Sequence, residues 1–210
     1  MKPLDDWLRT NQLTDSVESL EMTLQVASDV SKGQTQQWKW LIVSLHNALQ
    51  GFLVCSLFAG NPVNVLVEKH AKEWIEAANN GKPLPKRRRL LHFKALLRNA
   101  EDGSLMMKIG RKPLCLDKEQ RLSVLGLHKY RNELVHFLPM SRSIDARGLP
   151  EIATHCVEAI KFLALDSGNT VWMDRDLQLR CETAVECLLV LLGQLDRRYN
   201  RLEPDQLIRQ

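Results

Sequence analysis

The sequence predicts an all-α protein: an up-and-down helical bundle with an extra N-terminal helix and decorating helices. Three observations predict it. Apolar residues recur at helical spacing through long segments, strand-type alternation is sustained nowhere, and the breaks between segments carry Gly, Pro and Asn. A chain of 210 residues, 44% hydrophobic and 26% charged, matches one globular domain large enough to bury a core without staples.

The elements follow in order. Val17, Leu20, Leu24 and Ala27 mark one face of a helix over about 15–30, which Ser31-Lys32-Gly33 breaks. A long helix spans roughly 36–59 and ends at Gly60-Asn61-Pro62. A third covers about 63–78, before the loop Asn79-Asn80-Gly81-Lys82-Pro83-Leu84-Pro85. A short helix follows over about 90–99. The stretch 101–116 reads as irregular, punctuated by Gly103, Gly110 and Pro113. Asp117 is placed to cap a helix that runs to about Leu138 and stops before Pro139. Two more helices occupy about 151–165 and 174–199. The expected organisation is an N-terminal helical extension over 1–33, the main bundle over 34–200 and a tail over 201–210.

Composition narrows the functional classes. The net charge of +4 is too small to imply nucleic acid by itself. Five cysteines, Cys55, Cys115, Cys156, Cys181 and Cys187, include no C-x-x-C pair, which argues against a thiolate zinc site. Most sit in apolar helical context, as reduced thiols in a reducing compartment do; the cytoplasm is the expected location. No apolar leader segment occurs at the N-terminus. The uncharged stretch 41–60 has the length of a membrane span, but Ser44, His46, Asn47, Gln50 and Ser56 would be costly in lipid. A buried bundle helix is expected there, and no membrane partner. The terminal run 187–192 is apolar on all sides and is expected at the core or at a dimer contact.

The helix over 117–138 carries the chemistry. At about 100° per residue, Val124, Leu127, Arg131, Val135 and Leu138 share one stripe, and His128, Asn132 and His136 line the adjoining side. A guanidinium inside an apolar stripe needs a partner. That partner is either a carboxylate on a neighbouring helix or an anion received in a cleft.

The run Tyr130-Arg131-Asn132-Glu133-Leu134-Val135-His136-Phe137 resembles the R-x4-6-H signature of HEPN domains, with Asn132 in the polar position that often follows the arginine. The segment from Trp38 to Gln50 looks like the first long helix of the same kind of bundle, and the resemblance covers roughly residues 35–198. It implies an all-α homodimer with the two motif helices facing a composite cleft. It also implies metal-independent endoribonuclease activity without a cofactor, as in toxin–antitoxin systems, phage defence or RNA processing. The partners it implies are RNA and a separately encoded antitoxin. Other members of that family have lost catalysis and only bind nucleotide, RNA or a protein partner.

The implied chemistry is physically coherent. RNA brings its own nucleophile in the 2′-OH. In that chemistry His136 supplies proton transfer, Arg131 holds phosphate oxygens, and Asn132 orients His136 or the phosphate. Lys86, Arg87, Arg88 and Arg89 form a basic run that is either a solvated face or an RNA-steering patch. His46, Asn47 and Gln50 are expected on one face of the long second helix, either as a polar layer or as support for the cleft.

Overall fold

The structure, a computed structural model, describes residues 10–136 and 143–200. The far end of the stripe (Leu138), Phe137, Pro139, residues 1–9 and the tail over 201–210 lie outside the described residues. Among the described residues eight α-helices make the bundle: α1 Gln12–Ser31, α2 Trp38–Phe58, α3 Glu68–Asn79, α4 Phe93–Glu101, α5 Gly103–Lys108, α6 Lys118–Val135, α7 Leu149–Lys161 and α8 Arg175–Asn200. The expected all-helical bundle is thus observed.

α2 is the axis of the fold. It touches α1, α4, α6 and α7, and Leu45, Leu49, Phe52, Leu53 and Leu57 are all wholly buried. The helix with its leading turn, Thr35–Phe58, is long and apolar enough to cross a membrane, and 72% of its apolar window is covered by the other helices. It stops where Ala59 takes a left-handed conformation at φ 38°, followed by Gly60 at φ 86°.

α1 opens on Asn11, whose side chain accepts from the N–H groups of Leu13 and Thr14 at 3.0 Å each. It packs on both α2 and α8, with Val17, Leu20 and Ala27 in the common core. Small residues let α1 and α2 come close. A Cβ on Gly51 would stand 2.0 Å from Ser16 Oγ, and Thr23 Oγ1 donates to Ser44 Oγ at 2.9 Å.

α3 is a charged outer helix. The strand-like bridge between Leu66 and Leu90 fixes its approach and the basic segment beside it: Val67 N–H donates to Arg89 O at 3.0 Å, and Leu91 N–H to Val65 O at 2.8 Å. Within the stretch read as irregular, Asp102 caps the short α5 by accepting from Ser104 and Leu105. Asp117 caps α6 as expected, and Gln120 closes a capping box, with reciprocal bonds of 2.8 and 3.2 Å.

α7 widens into a π turn over Phe162–Asp166 before the chain reverses into α8. α8 buries a seam of Cys181, Ala184, Val185, Leu188, Leu192 and Leu195, while Val190 stays 63% exposed and Cys187 faces solvent. The run 187–192 is therefore one-sided in this chain. At its end, Trp38 Nε1 donates to Tyr199 OH at 3.0 Å and Arg198 donates to Ser31 O at 2.7 Å, closing α8 onto α1 and α2.

Candidate functional site on helix α6

The stripe on α6 changes character along its length. Val124 and Leu127 are fully buried against the bundle, Arg131 is half-buried, and Val135 is 39% exposed. The helix emerges from the core as it approaches its C-terminus, and Arg131 sits at the transition. This resolves the oddity of its position: the charge lies where the apolar seam gives out, so burial costs it less than at the centre of a core.

Three elements converge on the adjoining side. α2 contributes His46, only 2% exposed among leucines. α6 contributes His128, Asn132 and Arg131. α4 contributes Phe93 from its first turn. His46 Nε2 and His128 Nδ1 are 2.9 Å apart, and His128 Nε2 lies 3.2 Å from Asn132 Nδ2. Arg131 Nη1 donates to Asn132 Oδ1 at 3.1 Å. The Phe93 ring stacks on His128, with centroids 4.7 Å apart and planes 10° apart, and lies 4.6 Å from the His46 ring.

The electrostatics keep both imidazoles neutral. Burial first, then the charge a protonated His128 would add and the charge of Arg131, push His46 down to about 3. His128 is also lowered, by burial first and then by Lys94, Arg131 and His92. A shell of positive charge from α4 and α6 therefore surrounds an uncharged pair.

His136 stands at the end of α6. Its backbone N–H donates to Asn132 O at 3.0 Å, its φ and ψ of −99° and 84° leave the helix, and its side chain is exposed. Among the described residues, no hydrogen bond joins its imidazole to the side chain of Arg131 or Asn132. Arg131 Nε is buried without an acceptor among the described residues.

Lys86, Arg87, Arg88 and Arg89 are all exposed. Arg88 Nε donates to Pro85 O at 3.2 Å, and the backbone N–H of Arg89 donates to His70 Nδ1 at 2.7 Å. Phe93 is four positions after Arg89, so their Cα atoms lie within about 14 Å. The basic run thus leads directly into the helix that clamps the histidine pair. Of the three residues expected on one face of α2, His46 turns to α6. Asn47 is exposed and lines a groove toward α1 with Glu18 and Trp40, and Gln50 is half-buried. Successive helix positions differ by about 100°, and here that step crosses from one neighbouring helix to another.

Sequence reasoning did not reach the clamp by Phe93 or the pairing of His128 with His46. The available signal was a lone histidine in the apolar run of α2. Elsewhere, an open groove of about 830 Å³ runs between α1 and α8, away from α6. Among the described residues, no three His, Cys, Asp or Glu side chains gather as a metal site would. Searches against family models, curated proteins and solved structures find no match to this chain.

Proposed function

We propose that this chain is a HEPN-type endoribonuclease that acts in the cytoplasm as a homodimer and is held in check by a separately encoded antitoxin. The observation that carries the reading is the end of α6, where a half-buried Arg131 is tethered by Asn132 and an exposed His136 follows at the helix terminus. A tethered cation and a solvent-facing imidazole at the same end of one helix suit cleavage by 2′-OH attack.

In this reading RNA phosphate lies over α6 of two protomers. His136 takes the 2′-OH proton as the oxygen attacks phosphorus. Arg131 bears the charge of the phosphorane, and Asn132 holds Arg131. The P–O5′ bond breaks, the departing 5′-oxygen gains a proton from the second protomer's imidazole, and a 2′,3′-cyclic phosphate remains. Lys86, Arg87, Arg88 and Arg89 steer the backbone toward the cleft.

The test is RNA cleavage by wild type beside His136→Ala and Arg131→Ala, with end-group analysis. Cyclic phosphate ends lost in both folded variants support the reading. A wild-type dimer that cleaves no RNA across salt and pH overturns it. A second reading, a non-catalytic bundle that binds nucleotide, RNA or a protein partner, is favoured by the exposed His136 imidazole, which among the described residues has no hydrogen bond to the side chain of Arg131 or Asn132. Salt-dependent RNA binding without cleavage would select it.

A further inference from the structure

We infer that His46 and His128 are positioning residues of the α6 site: two neutral imidazoles, clamped by Phe93, that pass one directed hydrogen-bond chain through Asn132 to Arg131. Its consequence for RNA cleavage rests on the ribonuclease reading; the chain itself does not.

The direction of every link is forced from the arginine end. A guanidinium only donates, so the Asn132 atom 3.1 Å from Arg131 Nη1 is the amide oxygen. The amide's NH2 then faces His128 Nε2 at 3.2 Å, and that nitrogen must accept. A neutral His128 therefore carries its proton on Nδ1 and donates it to His46 Nε2 at 2.9 Å. His46 is left with its own proton on Nδ1, which is buried with no acceptor among the described residues. The orphaned donor is what the other links predict: it is the free end of the chain.

The reverse polarity fails. If His128 carried its proton on Nε2, it would face the NH2 of Asn132, donor against donor. The amide would have to turn over, and Arg131 would lose its oxygen. Protonation of His128 has the same effect. His128 faces His46 from α2, Lys94 from α4, His92 at the cap of α4 and Arg131 from α6 itself, and beyond burial it is Lys94, Arg131 and His92 that hold it down. α7 meets α6 through His155 on Ser123 and Glu158 on Gln120, more than a turn away. The orientation of Arg131 is thus coupled to the protonation state of a histidine it does not touch.

Side-chain nitrogen NMR on the full chain tests the relay directly. Wild type at neutral pH is expected to show both His46 and His128 as Nδ1–H tautomers. Asn132→Asp, which can only accept, is expected to pull the His128 proton to Nε2 and raise its titration midpoint by more than about one pH unit. A wild-type His128 protonated on Nε2, or a His128 unmoved by Asn132→Asp, overturns the inference.

The kinetic arm uses His128→Phe, which keeps an aromatic ring against Phe93 and removes both nitrogens. Cleavage is expected to fall at least 10-fold in kcat with KM within twofold. His128→Gln, whose amide offers one acceptor and one donor, should restore much of the rate. Full kcat in His128→Phe, or no rescue by Gln in a folded variant, overturns the positioning role. Wild type that cleaves no RNA while the tautomers are as stated overturns only the ribonuclease reading.

Discussion

Arg131 and Asn132 are neighbours in sequence whose side chains meet at 3.1 Å, although successive residues of a helix point about 100° apart. The long arginine bends back over the amide, so one arm of the guanidinium is used within its own helix and its plane is set before any ligand arrives. Such preorganisation is the main way a protein stabilises developing charge.

Removing the tether tests that idea. Asn132→Ala should lower RNA cleavage about 10- to 100-fold and Arg131→Ala about 100- to 1000-fold, with melting temperatures within a few degrees of wild type. Initial rates on a fluorescent RNA check both. An Asn132→Ala variant as fast as wild type would show that the tether is idle.

The neutral histidines make the fold acid-sensitive. An unfolded histidine takes its proton near 6.5, whereas His46 in the fold resists until about 3. Between those values the unfolded chain binds more protons, so stability falls as pH drops through that window. His46 alone accounts for a slope of at most about 1.4 kcal/mol per pH unit. Denaturant titrations at pH 7, 6, 5 and 4 should show this slope in wild type and a shallower one in His46→Phe.

The α1–α2 crossing tolerates no added volume. Gly51→Ala places a methyl 2.0 Å from Ser16 Oγ and 3.0 Å from Ser16 Cβ, inside the helix interface. A loss of about 1–3 kcal/mol is expected. Ser16→Gly in the same chain should recover part of it, which a double-mutant cycle by thermal melting would measure.

The basic run acts through charge alone. Its four side chains are exposed, so replacing Lys86, Arg87, Arg88 and Arg89 by alanine should leave the melting temperature unchanged. The slope of log affinity for single-stranded RNA against log salt should fall by up to about 3. Fluorescence anisotropy across a salt series checks this.

Local signals in the sequence account for most of the helices. The uncharged stretch between Lys39 and Glu68 marked α2, and Asp117 marked the start of α6. α5 escaped because Gly103 and Gly110 bracket it, although Asp102 carries an adequate cap. The run 187–192 in α8 is apolar on all sides in sequence; in the fold Leu188 and Leu192 are buried, Leu189 and Leu191 pack at the edge of the core, and Cys187 and Val190 face solvent, since a helix between two neighbours has a solvent side whatever its composition. The placing of Arg131 beside Asn132 was legible because both are local to one helix. The histidine pair was not, because it joins positions 46 and 128 through a phenylalanine at 93, and no single-helix pattern encodes that meeting.

The closure of α8 onto α1 and α2 has a consequence for biosynthesis. Trp38 waits for Tyr199, and the α1 face waits for the seam of the last helix. At ribosomal speeds of roughly 5–20 residues per second, the interval between Phe58 and Asn200 is roughly 7–28 s. For that time the most apolar helix of the chain is outside the exit tunnel without its final neighbours. Closure of the bundle over α1 and Trp38 therefore waits for the final turn of α8.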